Sequence, residues 1–112
     1  MSEYNLYLKD ILRAIAKIEK SIKNKNFEEF KFDDELIDAT AMRLQIIGES
    51  IKKLGRLKEK YKEIDWEKYL QTRNIISHAY FAVNLEILWS VIIKAIPLLK
   101  KQIKEIVEKE NA

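Results

Sequence analysis

Apolar residues recur along this chain at alternating steps of three and four, the spacing that places side chains on one face of an α-helix. The first stripe lies within residues 3–23 and consists of Leu8, Ile11, Ile15, Ile18 and Ile22. Most lysines of this stretch fall between the apolar positions, as on a solvated helix face. The pattern therefore predicts a first helix over residues 3–23.

A second stripe predicts a helix over about residues 35–54. Its apolar positions are Ile37, Ala41, Leu44, Ile47 (or Gly48), Ile51 and Leu54. Asp33 or Asp34 can cap its start, and Gly55 is suited to end it. Gly48 lies mid-helix, where glycine costs about 1 kcal/mol relative to alanine. Either a neighbouring helix packs closely there, or the backbone needs clearance beside a ligand or a partner chain.

The helical periodicity breaks in the segment before this second helix. Residues 24–32 are predicted to form a loop whose three phenylalanines, Phe27, Phe30 and Phe32, fold back over the core. Residues 52–62 carry six basic side chains and one glutamate, a net charge of +5. This basic window is either a solvated connector or a contact for the phosphate backbone of a nucleic acid.

The last stripe predicts a long helix over residues 85–109, capped by Asn84. It consists of Leu85, Leu88, Ile92, Ile96, Leu99, Ile103 and Ile106. Pro97 lies inside this helix and should kink or split it, because proline lacks a backbone N–H. The chain has one proline, two glycines and no alternation long enough for a sheet. We therefore predict an all-α, up-and-down bundle of four to five helices, with residues 1–112 as a single domain.

Composition narrows the class of protein further. With 47% apolar and 35% charged residues the chain is globular, and it is small enough to leave an apolar face for a second subunit. It has no cysteine, which excludes disulfides and thiolate catalysis and fits a cytoplasmic protein. We expect no membrane span and no signal peptide, since no apolar run is long enough and the N-terminus lacks the required layout. The net charge of +3 is weak support for a nucleic-acid partner.

The strongest chemical signal is residues 73–80, Arg-Asn-Ile-Ile-Ser-His-Ala-Tyr, which contain the one histidine of the chain. The planar guanidinium of Arg73 is suited to binding phosphate. His78 can transfer a proton near neutral pH, and the phenol of Tyr80 is close to it in sequence. Together these groups suit phosphodiester chemistry or nucleotide binding.

The spacing within this segment also constrains the helix that carries it. A third helix is predicted to begin at Trp66, with Asp65 as its N-cap. On a regular helix Arg73 and His78 would point about 140° apart, so both could not face one ligand. We therefore predict that this helix ends between residues 77 and 80, or that the two side chains meet groups of another subunit. The plainer alternative is a capping histidine, with Arg73 in a structural ion pair.

Other site types have little support in the sequence. One histidine with scattered carboxylates is not a convincing metal-ligand set. There is no glycine-rich loop to bind phosphates and no Ser-His-Asp arrangement that the spacing supports. We therefore expect neither a metal nor a cofactor.

The segment Arg73-(four residues)-His78-Ala79-Tyr80 resembles the Arg-x4-His-x-Tyr motif of HEPN-domain toxins, the ribonuclease half of MNT–HEPN toxin–antitoxin pairs. The likeness extends from about residue 8 to residue 106. Further blocks in the family's order and spacing are Arg43-Leu44-Gln45-Ile46-Ile47-Gly48-Glu49, Asp65-Trp66, Arg73-Asn74, Leu88-Trp89 and Pro97-Leu98.

This resemblance implies a homodimer with the motif at the subunit interface, and metal-independent cleavage of RNA centred on Arg73 and His78. It implies a minimal nucleotidyltransferase antitoxin that in some members transfers AMP to the motif tyrosine, here Tyr80. Asn74 and Glu49 are looser candidates for supporting roles. The alternatives are a non-catalytic helical module that binds a nucleotidyltransferase or a nucleotide, and a plain helical scaffold.

Overall fold

The computed structural model of the protein describes residues 3–72 and 84–111, and within them the chain forms helices and no strand. In chain order the helices are α1 (Asn5–Ile22), α2 (Phe27–Lys31), α3 (Asp34–Lys52), α4 (Arg56–Lys60), α5 (Trp66–Leu70), α6 (Leu85–Ser90) and α7 (Ile96–Glu110). A π-helical segment, Val91–Ala95, joins α6 to α7. The predicted all-α class is confirmed.

Helix α1 packs along α3 and also contacts α7. Its predicted apolar stripe is confirmed: Leu8, Ile11, Ile15 and Ile18 are completely buried. Burying a leucine or isoleucine side chain contributes about 1.5–3 kcal/mol. This stripe and its counterparts on α3 and α7 are therefore the main source of stability in the bundle.

Helix α2 lies within residues 24–32, so the prediction that this stretch is a loop is wrong. The side chain of Asn26 accepts a hydrogen bond from the backbone N–H of Glu29 at 2.9 Å, and the carboxylate of Glu29 accepts one from the N–H of Asn26 at 3.1 Å. This reciprocal capping box satisfies two backbone donors that would otherwise lack partners. It lets five residues form a helical turn between two longer helices.

The three phenylalanines around α2 differ in position. Phe30 is buried, and its ring centroid lies 5.1 Å from that of Trp89 on α6. Phe27 is partly buried, with a ring centroid 6.3 Å from that of Trp89. Phe32 is 77% exposed, so its predicted place over the core is wrong. Two of the three aromatic rings thus attach α2 to α6.

Helix α3 begins as predicted, since the carboxylate of Asp33 accepts a hydrogen bond from the backbone N–H of Leu36 at 3.0 Å. It ends at Lys52, before the predicted glycine. Gly55 instead has a φ of +52° and precedes α4. Its positive φ favours glycine, and a Cβ at this position would lie 2.8 Å from the hydroxyl of Tyr4, so a larger residue would also displace that side chain.

The predicted effect of Pro97 is confirmed. Because proline has no N–H and its ring clashes with the carbonyl four residues earlier, a regular α-helix cannot pass through it undistorted. The chain responds with the π-helical segment, in which the N–H of Ile96 donates to the carbonyl of Val91. Asn84 lies at the N-cap of α6 as predicted, although its side chain does not cap the described residues of that helix.

Candidate functional site

Most of the predicted site residues, namely Arg73, Asn74, His78 and Tyr80, lie outside the described residues, as does the predicted end of the third helix. Glu49 is described. Helix α5 ends at Leu70, and Gln71 is its C-cap. The prediction of one continuous helix from Trp66 into the motif is therefore wrong at Gln71.

Helix α5 leads directly to the motif, and side-chain hydrogen bonds fix its position. The carboxylate of Asp65 accepts from the backbone N–H of Lys68 at 3.2 Å, which confirms the predicted N-cap. The indole of Trp66 donates to the carbonyl of Tyr61 at 3.1 Å. The hydroxyl of Tyr69 donates to the carbonyl of Ala95 in the π-helical segment, also at 3.1 Å. Burial, with a smaller effect of the charge on Asp65, raises the pKa of Tyr69.

The end of α5 packs against the middle of α3 at Gly48. A Cβ built on Gly48 would lie 3.6 Å from the Oγ1 of Thr72 and 3.7 Å from the carbonyl oxygen of Tyr69. Thr72 is only 3% exposed, and its hydroxyl donates to the same carbonyl at 2.8 Å. Among the described residues, α5 therefore contacts α3 at Gly48 at ordinary van der Waals distances, and the two explanations of this glycine both stay predictions.

Beside this contact is a cavity of about 240 Å³, which we call the Gly48 pocket. Its lining residues are Gln45, Gly48, Glu49, Lys52, Leu70 and Thr72. Thr72 is followed in the chain by Arg73, and consecutive Cα atoms are about 3.8 Å apart. The structure therefore brings Glu49 into one pocket with the residue that precedes the motif.

Sequence reasoning missed the other polar residues of the Gly48 pocket. A signal was present, since positions 45, 48, 49 and 52 are spaced as neighbours on one face of a helix. The contribution of Thr72 has no such signal, because it depends on the packing of α5 against α3.

Three cations of the basic window of residues 52–62 have different surroundings. Lys52 lines the Gly48 pocket. The ammonium of Lys53 lies 5.6 Å from the ring centroid of Tyr7. The ammonium of Lys60 lies 2.7 Å from a carboxylate oxygen of Glu110. Of these three lysines, only Lys52 borders the Gly48 pocket.

A second polar cluster, which we call the Glu110 clamp, consists of Lys60, Tyr61 and Glu110. The Oε2 of Glu110 accepts hydrogen bonds from the Nζ of Lys60 at 2.7 Å and from the hydroxyl of Tyr61 at 2.6 Å. The hydrogen bond to Glu110, together with burial and nearby negative charge, raises the pKa of Tyr61 to about 12. The hydrogen bonds from Lys60 and Tyr61 lower the pKa of Glu110. The clamp joins the end of α7 to the start of the connection that leads to α5.

Within residues 3–72 and 84–111, no three histidine, cysteine or carboxylate side chains converge in a way that could hold a metal ion. Among the helices of the same residues, none combines the length and the apolar character that crossing a membrane requires.

The described residues form a small all-α bundle with a polar pocket whose lining includes Thr72, the residue that precedes the Arg-x4-His-x-Tyr motif in the sequence. Residues 11–106 match the family model described as "Ribonuclease HepT-like". The chain therefore belongs to the HepT-like ribonuclease family, which confirms the predicted resemblance to HEPN-domain ribonucleases.

Two relatives whose names state an activity align with nearly the whole chain. A protein of Caldanaerobacter subterraneus subsp. tengcongensis named "Putative RNase" is 39% identical over 106 residues, which cover 94% of this chain and 95% of that protein. A "Probable ribonuclease HepT" of Thermococcus cleftensis is 35% identical over 101 residues, 89% of this chain and 92% of the relative.

A third relative, from Methanocaldococcus jannaschii, is named "Gamma-glutamylcyclotransferase and putative RNase". It is 39% identical over 107 residues, which cover 95% of this chain but only 48% of that protein. This chain thus corresponds to about half of that relative. No solved structure shows a significant match to the chain.

Proposed function

We propose that this protein is a metal-independent endoribonuclease and the toxin component of a toxin–antitoxin pair, with Arg73 and His78 as its catalytic residues. The observation that carries the proposal is the family match over residues 11–106, which encloses the whole motif. Relatives that cover almost the full chain are named as ribonucleases, which supports RNA as the substrate.

The motif supplies the groups that this reaction needs. When the 2′-OH of a ribose attacks the adjacent phosphorus, a base must take the hydroxyl proton and an acid must protonate the departing 5′-oxygen. The products are a 2′,3′-cyclic phosphate and a free 5′-hydroxyl. His78 is the candidate for proton transfer. The guanidinium of Arg73 stabilises the negative charge that accumulates on the phosphorane.

One histidine per chain cannot act at the same moment as base and acid. We therefore propose a homodimer in which a two-fold axis brings two copies of the motif to one cleft. One subunit would supply the base and its partner the acid, with both Arg73 side chains near the phosphate. Asn74 and Glu49 would support this site, and Glu49 lies in the Gly48 pocket next to the residue before the motif.

The proposed partner is a minimal nucleotidyltransferase antitoxin acting in the cytoplasm, where the RNA substrate is. Transfer of AMP to Tyr80 would add negative charge and bulk two residues from His78. Because RNA presents its own phosphate to this site, the modification would repel and obstruct the substrate.

The test is RNA degradation in EDTA by the wild type, Arg73→Ala and His78→Ala, with thermal unfolding to verify that each variant is folded. We expect His78→Ala to lower the rate by about 10²–10⁴-fold, the usual contribution of acid–base catalysis. Arg73→Ala should lower it by about 10²–10³-fold, the usual effect of removing a group that stabilises the charge of the transition state. Arg13→Ala, which removes the same side chain from an exposed site on α1, is the matched control. Undiminished cleavage by His78→Ala would contradict the proposal and leave the nucleotidyltransferase-binding module as the better explanation.

Mixed dimers of wild type and His78→Ala test the shared cleft. If both histidines serve one reaction, the mixed dimer loses nearly all activity. Half the wild-type rate would instead mean that each subunit works alone.

A further inference from the structure

Two large apolar side chains of α3 are exposed next to each other. Met42 is 65% exposed and Ile46 is 43% exposed, and their spacing of four residues places them on one face of the helix. The buried face of α3 consists of other residues, among them Leu44, Ile47 and Ile51. Single exposed apolar residues are common, but neighbouring ones rimmed by polar groups are typical of interaction sites.

The rim of this apolar surface is positively charged. Met42 and Ile46 lie in a groove between α1 and α3, which we call the α1–α3 groove. Its other lining residues among those that the structure describes are Asp10, Arg13, Ala14, Lys17 and Arg43. Three cations and one carboxylate give this lining a formal charge of +2, whereas the whole chain has only +3. Positive charge is therefore concentrated around the two exposed apolar side chains.

Arg43 is held in a fixed position across the groove. Its Nη1 donates a hydrogen bond to the carbonyl oxygen of Lys17 on α1 at 3.2 Å. A guanidinium has five N–H donors in one plane, and this hydrogen bond uses one of them. Arg13 and Lys17 are exposed on α1, and their spacing places them on one face of that helix. A ligand in the groove would therefore contact cations and apolar side chains at once.

This combination disfavours two other occupants. In a two-fold contact between copies of this chain, the same groove would lie on both sides, so the cations of one copy would face those of the other. Like charges opposed across an interface are unfavourable. Sites for single-stranded RNA stack its bases on aromatic rings, and none of the described lining residues is aromatic.

We infer that the α1–α3 groove is the docking site for an acidic amphipathic helix of a partner protein. A helix that binds in a groove inserts an apolar stripe, which Met42 and Ile46 would contact. Methionine suits this role because its flexible side chain adapts to the shape of a partner. Acidic residues beside the stripe would complement Lys17 and Arg43 in charge. Such a helix can dock whether or not the protein cleaves RNA.

The test begins with a selection for peptides that bind the full-length protein. The probe is a displayed library of helical peptides about 18 residues long, with an apolar stripe and randomised flanking positions. Peptides are selected on the wild type, and those that also bind the double variant Ile46→Ala/Lys17→Glu are removed. We expect the remaining peptides to carry aspartate and glutamate beside the stripe. If no peptide remains, or if the flanking positions are neutral or basic, the inference is overturned.

Single variants then measure each contribution to the affinity of a selected peptide, by fluorescence anisotropy. Ile46→Ala should weaken binding about tenfold, as truncation of a central interface residue does. Lys17→Glu should weaken it further, because it places a negative charge opposite the acidic flanks, and high salt should reduce this effect. The matched controls are Leu98→Ala and Lys104→Glu, exposed residues of α7 outside the groove lining, which should bind like the wild type. Equal affinities for all four variants would contradict the inference.

Two further measurements examine the other occupants. All variants change exposed side chains, so their unfolding temperatures should equal that of the wild type. If a single-stranded RNA oligonucleotide displaces the selected peptide and loses affinity in Ile46→Ala, the groove is an RNA site and the inference fails. If Ile46→Ala dissociates into smaller species in analytical ultracentrifugation, copies of this chain cover the groove and the inference also fails.

Discussion

The Glu110 clamp and the Gly48 pocket contain the same kinds of side chain in opposite arrangements. In the clamp, Lys60 and Tyr61 both donate to one oxygen of Glu110, at 2.7 Å and 2.6 Å. In the pocket, Glu49 and Lys52 border about 240 Å³ of space. The clamp directs its charges at each other across residues far apart in sequence. The polar side chains of the pocket line a cavity, so residue type alone does not distinguish a structural cluster from the lining of a cavity.

The two regions are mechanically connected through α5. The carbonyl of Tyr61 accepts the indole N–H of Trp66 at the start of α5, and the opposite end of α5 reaches the pocket through Leu70 and Thr72. The clamp therefore helps to hold the element that forms one wall of the pocket. If this division of roles is correct, substitutions in the clamp should change stability, and substitutions in the pocket should change binding.

The largest stability effect is expected for Glu110→Ala. Its side chain is only 13% exposed and accepts two hydrogen bonds, one of them from a charged donor. Hydrogen bonds to charged groups contribute about 1.5–3 kcal/mol, but Lys60 is 62% exposed and adds little. We expect a loss of about 2 kcal/mol in the free energy of unfolding, measured by urea denaturation.

The matched control for this prediction is Glu108→Ala, which removes an exposed carboxylate from the same helix and should have little effect. RNA binding by folded Glu110→Ala should equal that of the wild type. A large loss of binding without a loss of stability would contradict the structural role of the clamp and place it in the functional site.

The clamp should also make stability depend on pH at both extremes. The pKa of Tyr61 is raised to about 12, so its contribution is complete below the ordinary tyrosine pKa of about 10 and is lost as the pH rises towards 12. The pKa of Glu110 is lowered, so its contribution is present above the ordinary glutamate pKa and is lost as the pH falls through the lowered value.

Tyr61→Phe separates these contributions from those of other groups. It removes the titrating phenol, so the variant should lose less stability than the wild type between about pH 10 and pH 12. Urea denaturation of both proteins at a series of pH values measures the difference. If the free energy of unfolding fell equally in both proteins over this interval, the hydrogen bond between Tyr61 and Glu110 would not control the loss of stability at high pH.

Features that depend on neighbouring residues could be predicted from the sequence, and contacts between distant residues could not. The stripe of α1 and the caps Asp33 and Asp65 were predictable because their signals are local, extending over one to five turns. Helix α2 was missed because five residues are too few for periodicity, although the Asn26–Glu29 capping box was present in the sequence. The clamp joins Tyr61 to a residue 49 positions later, and no local pattern encodes such a pair.

The candidate site also has residues that the sequence predicts and residues that it does not. Glu49 followed from the family resemblance, and the structure places it beside Thr72 in the pocket. Leu70 and Thr72 could not be assigned, since their part in the pocket depends on how the end of α5 packs on α3. The roles of Arg73, Asn74, His78 and Tyr80 remain predictions drawn from the motif and its resemblance.

The smallest effects on stability are expected for two lysines, one in the Gly48 pocket and one in the Glu110 clamp. Their effects on RNA binding should distinguish the two regions most sharply. Lys52→Ala and Lys60→Ala each remove one positive charge from an exposed side chain, so each should change stability by no more than about 0.5 kcal/mol. Their effects on RNA binding should differ. Lys52 lines the same pocket as Thr72, which precedes the proposed catalytic residue Arg73 in the sequence, whereas Lys60 is paired with Glu110.

The measurement is the dependence of RNA affinity on salt concentration. Each phosphate contact to single-stranded nucleic acid contributes about 0.7 to the slope of log K against log salt. Lys52→Ala should therefore reduce the magnitude of the slope by about 0.7, and Lys60→Ala should leave it unchanged. Equal reductions would mean that RNA responds to the general positive charge of residues 52–62. A reduction for Lys52→Ala alone would show that a cation contributes to RNA binding when it borders the pocket, and not when its charge is already paired within the protein.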